Sequence, residues 1–165
     1  MKVYSIVFVV LVFPVGVSAQ NSPPPHQHNV PTNLIDGSKT PDLIPDSTAF
    51  RHWLLITSVV PNASNADFVR QQAEVSKLGL TESEKLKLRL VLANFRRQYE
   101  ALIQRHNDRA KAGKHPDLNL LLQQLDDLVA SARTAINTTL SSDSVARIEN
   151  LVKIHKNLIQ IVSSH

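Results

Sequence analysis

Between Leu80 and Gly113, apolar side chains recur at alternating steps of four and three: Leu88, Leu92, Phe95, Tyr99, Leu102 and, in the same register, His106. That spacing keeps one face of an α-helix apolar along its whole length. Thr81 stands where an N-cap is wanted, and Glu84, three residues on, completes a capping box, so the helix is expected to start there. It should run for about thirty residues, or about 45 Å at 1.5 Å per residue. A second apolar strip, Leu86, Leu90 and Ala93, accompanies the first half only. The pattern therefore predicts that the first half is covered on two sides and the second half on one.

The flanking segments carry the same period. Pro116-Asp117 opens a helix with a stripe of Leu118, Leu121, Leu122, Leu125, Leu128, Val129, Ala132 and Ile136, closed by Leu140. Ser141 is expected to cap a further helix with Val145, Ile148, Val152, Ile159 and Val162 on one face, widened by Leu151, Ile154, Leu158 and Ile161. Upstream, a short helix should begin after Asp46 or Ser47, bury Phe50, Trp53, Leu54 and Val59, and end at Pro61, since proline disfavours helical geometry in the residue before it. After a turn at Asn62 to Asn65, another short helix is expected from about Ala66 to Leu78, with Gly79 at the left-handed position past its end. No run alternates with period two over strand length, so no sheet is expected. The reading is an all-α domain over 46-165: a bundle of about five helices, two short and three longer in an up-down-up arrangement.

The first 45 residues have a different character. Lys2 precedes a nearly apolar run from Val3 to Val17, and Val17-Ser18-Ala19 places small residues before Gln20, the pattern of a secretory signal over 1-19. The rival reading is an uncleaved anchor, but a span needs about 20 apolar residues and this run is shorter and broken by Pro14. Residues 20-45 hold six of the nine prolines and read as an extended linker or arm. Within it, Leu34-Ile35 and Leu43-Ile44 lie beside turn residues and are expected to tuck against the bundle. This organisation implies a periplasmic or secreted location.

Composition narrows the chemistry. The chain has no cysteine, which excludes disulfides, thiolate metal sites, a cysteine nucleophile and a lipidated cysteine anchor. The net charge of +4, lowered by one if Lys2 is removed, is too small to imply nucleic acid. Seven histidines are scattered without a His-x-x-x-His or His-Glu-x-x-His spacing, so no metal site is expected. His106 and His155 fall in apolar stripes and read as core or boundary residues with a hydrogen-bond partner. Asp126 and Asp127 point about 100° apart on a helix and read as solvated. No nucleophile elbow or glycine-rich phosphate loop occurs, so neither a catalytic residue nor a cofactor is expected. Asn62-Ala63-Ser64 and Asn137-Thr138-Thr139 match the glycosylation pattern but read as turn or cap chemistry.

Charge is distributed unevenly. Glu82 to Lys114 holds nine basic residues against four acids, whereas Asp117 to Leu140 holds three acids and only Arg133. On a helical wheel Lys85, Arg89 and Arg96 flank one side of the long apolar stripe, and Arg105 and Arg109 flank the other. The plain reading is a solvated face paired with neighbouring acids. The functional reading is a basic rim around an apolar surface, suited to unfolded clients, an acidic protein partner or anionic lipid.

Two resemblances bear on this choice. Leu80-Thr81-Glu82-Ser83-Glu84 and Leu140-Ser141-Ser142-Asp143-Ser144 resemble the paired Leu-Thr-x-x-Gln repeats of Spy/CpxP-like periplasmic proteins, with Glu84 and Ser144 departing from the expected glutamine. That resemblance, over Leu80 to Val162, implies a helical chaperone without ATP or an envelope-stress adaptor. The segment Ile35-Asp36-Gly37-Ser38-Lys39-Thr40-Pro41-Asp42-Leu43-Ile44-Pro45-Asp46 resembles the opening of a group of secreted helical proteins of acidobacterial type, which implies class and location but no activity. The sequence thus points to an exported, non-catalytic binding protein of chaperone or stress-adaptor type, contacting a protein client through Lys85, Arg89, Arg96, Arg105 and Arg109. A structural or assembly subunit with a fixed protein partner is the alternative. A hydrolase, which needs clustered polar groups in a pocket, is third. N-terminal sequencing of the exported protein should find Gln20 first; an intact Met1 would show that the apolar run is retained.

Overall fold

The computed structural model describes residues 34–60, 62–113 and 117–162; the signal-like segment and most of the proline-rich arm lie outside them. The described residues form an all-α bundle of five helices. These are α1 (Asp46–Thr57), α2 (Asn65–Ser76), α3 (Glu82–Lys111), α4 (Leu118–Thr139) and α5 (Ser142–His155). Two three-residue strands, β1 (Leu34–Asp36) and β2 (Gln160–Val162), pair antiparallel with Ile35 opposite Ile161.

Local chemistry accounts for most boundaries. Ser64 and Thr81 each form a full capping box, with Asp67 and Glu84 respectively, and Gly79 and Gly113 take positive φ after α2 and α3. The serine of the Asn62-Ala63-Ser64 pattern is thus a cap, and the Thr138 and Thr139 hydroxyls donate to carbonyls one turn back in α4. Asp117 Oδ1 accepts from the Leu120 N–H and opens α4. At α1 the expected cap shifts: Pro45 occupies the cap position, and Asp46, the first helical residue, instead meets Lys156 Nζ at 2.6 Å.

Two expectations are corrected at the C-terminal end. The fifth helix stops at His155, and Lys156–Leu158 makes a single 3-10 turn. Beyond it the chain is extended, so Ile159 and Ile161 are buried by alternation, with Gln160 exposed between them. Ile154 and Leu158, expected to widen a helical apolar face, are 60% and 65% exposed. The small sheet was invisible to periodicity because three residues give too short a run to separate a period of two from 3.6. β1 also seats the arm: Ile35 packs on the core and Ile44 is fully buried, while Leu34 and Leu43 stay exposed.

The core centres on α1. Ala49, Phe50, Trp53 and Leu54 are buried, the two rings meeting edge to face at 5.5 Å. Around them lie Leu88, Leu92 and Phe95 of α3, Val129, Ala132 and Ile136 of α4, and Ile148 and Val152 of α5. The Arg133 guanidinium stacks 5.4 Å from the Phe50 ring and pairs with Glu149 at 2.8 Å. The carbonyls at the end of α1 find partners across the bundle: Gln71 Nε2 donates to Thr57 O at 3.0 Å and Arg96 Nη1 to Leu55 O at 3.4 Å.

α3 and α4 run antiparallel, and their far ends pass beyond this core. Leu102 and Leu125 are buried but stand apart from the main cluster.

Gly37 is the tightest point of the arm. Its N–H donates to Ile159 O at 2.9 Å, and a Cβ there would overlap Lys156 O and lie 2.8 Å from Ile159 O. Gly37→Ala should therefore lift the arm from the C-terminal strand and destabilise the fold by about 1–3 kcal/mol, the usual cost of overpacking. An unchanged denaturation midpoint would show that the β1–β2 contact adds nothing to stability.

Candidate functional site

The two similar helix openings meet in space. Glu84 Oε2 accepts from the Thr81 N–H and hydroxyl at 3.1 and 3.0 Å, completing the α3 cap. Its Oε1 accepts from the Ser141 hydroxyl at 2.7 Å, the Ser144 hydroxyl at 2.8 Å and the Ser141 N–H at 3.2 Å. One carboxylate therefore holds the starts of both α3 and α5. Ser141 stands at the cap position of α5, but its hydroxyl bonds Glu84 and the Ser144 hydroxyl in place of a backbone N–H of its own helix. A glutamate suits this role because an ionised carboxylate only accepts, and every group around it is a donor. These bonds, the Ser141 and Ser144 hydroxyls foremost, hold the Glu84 carboxyl well below the ordinary carboxylate range.

The five basic residues expected to form a rim do not gather in one place. Lys85 bonds Glu82 at 2.7 Å. Arg96 is mostly buried, paired with Glu100 at 2.7 Å, set against the Tyr99 ring and bonded to Leu55 O. Its role is to tie α3 to the end of α1. Arg89 is half-buried at the level of the core. Only Arg105 and Arg109 come together, one turn apart on the projecting part of α3, and among the described residues neither forms an ion pair.

These two arginines line a cleft of about 440 Å³ between α3 and α4. Leu102 lies at its inner end, His106 stands beside the arginines, and Leu120, Leu121 and Gln124 form the α4 wall. Asp117, at the mouth, already accepts from the Leu120 N–H at 3.0 Å. Further along the same seam a second hollow of about 210 Å³ is lined by Leu90, Val91, Asn94 and Gln98 of α3 and by Leu128 and Ala135 of α4, among others. At 100° per residue, Arg105 and Arg109 fall within about 20° of Gln98 on the α3 wheel, so both hollows open on one side of the hairpin. The two hollows thus follow one another along the seam, the inner one with Leu90, Val91 and Leu128 in its lining and the outer one flanked by the two arginines.

Leu90, in the lining of the inner hollow, belongs to the apolar strip of α3. The expectation that the first half of α3 is covered on two sides is corrected: Leu86 is 60% exposed, Leu90 64%, and Ala93 is exposed as well. α1 packs against both α3 and α4.

Comparison with protein-family models, characterised proteins and solved structures gives no match. The groove must therefore be judged on its own chemistry. Among the described residues, no group of three or more His, Asp or Glu side chains could hold a metal ion, and no helix is long and apolar enough to cross a membrane.

One buried pair escaped the sequence reading. His52 of α1 and His155 of α5 face each other with ring centroids 6.1 Å apart. Both His52 ring nitrogens and His155 Nδ1 are buried without a partner among the described residues, so the hydrogen-bond partner expected for His155 is not found at Nδ1. No spacing signal links positions this far apart. Burial pushes both imidazoles below their ordinary 6.5; the neighbouring His155 adds to the effect at His52, while at His155 Glu74 opposes it and Lys77 reinforces it.

The sign for stability follows directly. Between pH 6.5 and the lowered folded values, the unfolded chain binds protons that the folded chain does not, so stability is full above pH 6.5 and falls below it. A second loss begins below about 4.5, as Glu84 and the other hydrogen-bonded carboxylates become protonated in the unfolded chain first. Denaturation midpoints measured from pH 8 to pH 3 should show two successive declines. His52→Asn with His155→Asn should remove the first and leave the second; a first decline that persists in the double variant rules out this pair as its source.

Proposed function

We propose that this chain is a non-catalytic binding protein that works outside the cytoplasm and holds segments of other polypeptides along the α3–α4 seam, as a chaperone or stress adaptor does. The observation that carries the reading is the pair of hollows along the α3–α4 seam, the inner one lined by exposed Leu90 with exposed Leu86 one turn before it, the outer one flanked by Arg105 and Arg109, which form no ion pair among the described residues. Apolar contact in the groove supplies reversible holding, and the arginines supply longer-range attraction. The signal-like segment at the N-terminus supports action after export. Arg96 and Lys85, already bonded within the domain, are not part of this contacting surface.

The protein should slow aggregation of unrelated unfolded proteins without ATP. Leu86→Ser with Leu90→Ser should weaken protection while leaving helicity intact, since exposed positions of this kind change stability by only about 0.5 kcal/mol. Added salt should slow capture more than it speeds release, because it screens exposed charges over about 8–10 Å. If several-fold excess of the protein protects none of several clients, the reading fails, and a dedicated subunit whose groove is permanently covered by one partner replaces it.

A further inference from the structure

Building on the binding reading above, we infer that the α3–α4 seam is a two-point site for a polypeptide segment that places aliphatic side chains beside Leu90 and a carboxylate between Arg105 and Arg109. Three observations converge on an acid at the tip. Arg105 and Arg109 are four residues apart, so their guanidinium groups project from the same side of α3 into one cleft. The neighbouring acids Asp117 and Asp108 accept from the Leu120 N–H and from the Gln104 side chain at 2.8 Å, and neither forms an ion pair with Arg105 or Arg109. Leu102, Leu120 and Leu121 supply the apolar part of the cleft lining, beside Gln124, so a carboxylate held there would be partly shielded from water compared with one on an open surface. A guanidinium pair of this kind favours a planar, two-oxygen acceptor over an ammonium or a neutral amide.

The spacing selects a polypeptide over a compact ligand. From Leu90 to Arg105 the helix rises about 22 Å, at 1.5 Å per residue. An extended segment covers that distance in about seven residues at roughly 3.3 Å each. The ligand class is therefore an extended segment with an aliphatic pair at one end and a Glu or Asp about seven residues away.

The test uses fluorescein-labelled peptides with blocked ends, each carrying a Leu-Leu pair in a Gly-Ser background and one variable residue about seven positions on. Binding to the full chain is read by fluorescence anisotropy. The peptide with glutamate should bind roughly three- to tenfold more tightly than the one with glutamine, the range expected for two partly exposed charge contacts, and the lysine peptide should bind weakest. Moving the glutamate next to the leucines should lose most of that advantage. Arg105→Gln with Arg109→Gln should abolish the preference, and Arg105→Glu with Arg109→Glu should reverse it toward lysine, which a merely structural role for these exposed residues would not do. Equal binding of the glutamate and glutamine peptides, or a preference that survives loss of both arginines, overturns the inference. So does arginine-dependent binding to phosphatidylglycerol vesicles with no binding to any peptide. If aggregation is still suppressed while the glutamate preference is absent, only this inference falls; if protection and all peptide binding are both absent, the binding reading falls with it.

Discussion

Burial of one face of α1 is the constraint around which the domain is arranged. Phe50, Trp53 and Leu54 are fully buried, and α3, α4 and α5 each contribute residues to the cluster around them. Burying each of these side chains contributes about 1.5–3 kcal/mol. The burial also creates an obligation, because the carbonyls at the end of a buried helix need donors. Gln71 and Arg96 meet it, and in doing so fix α2 and the middle of α3 against α1. This explains why Arg96, which on a wheel looks like part of a surface rim, is withdrawn from the surface.

The parts of the fold that were legible in the sequence are those written in local chemistry. Thr81 with Glu84 marked the start of α3, Asp117 the start of α4, and Gly79 and Gly113 the ends of α2 and α3, because caps depend on residues within one turn of each other. The stripe of α3 likewise named its buried residues Leu88, Leu92, Phe95 and Leu102. Periodicity failed where a segment was too short to define a period, as at Ile159 and Ile161. It also failed where coverage depends on which other element arrives, as at Leu86 and Leu90: an apolar strip looks the same on a wheel whether or not something packs on it. The candidate site was half legible. Arg105 and Arg109 could be named from the wheel, but their separation from Arg89 and Arg96 follows from where the core ends along α3, which only the packing of α1 decides.

The paired helix openings show how a repeated phrase can act once folded. Leu80-Thr81 and Leu140-Ser141 look in sequence like two independent caps, yet their polar groups converge on one carboxylate. Leu80 and Leu140 are both buried beside it, so the apolar residue before each cap and the polar cluster reinforce one another. The tip of the hairpin has no comparable anchor among the described residues. Beyond Leu102 and Leu125, α3 and α4 are supported mainly by each other, which leaves the basic end of the groove freer to adjust than the end beside the core.

The pairing of β1 with β2 has a consequence for how the chain reaches its final state. Leu34–Asp36 and Gln160–Val162 lie at opposite ends of the described fold, so their ladder closes a loop of roughly 125 residues. Loop closure grows costly only slowly with length, about 0.6 kcal/mol per doubling, so the effect on stability is small. Its effect on timing is larger, because contacts distant in sequence slow folding. The helices can nucleate early from their own caps, but Ile159 and Ile161 are seated only when the segment after α5 returns to β1. During synthesis β1 therefore waits without its partner until all five helices between it and β2 have been made.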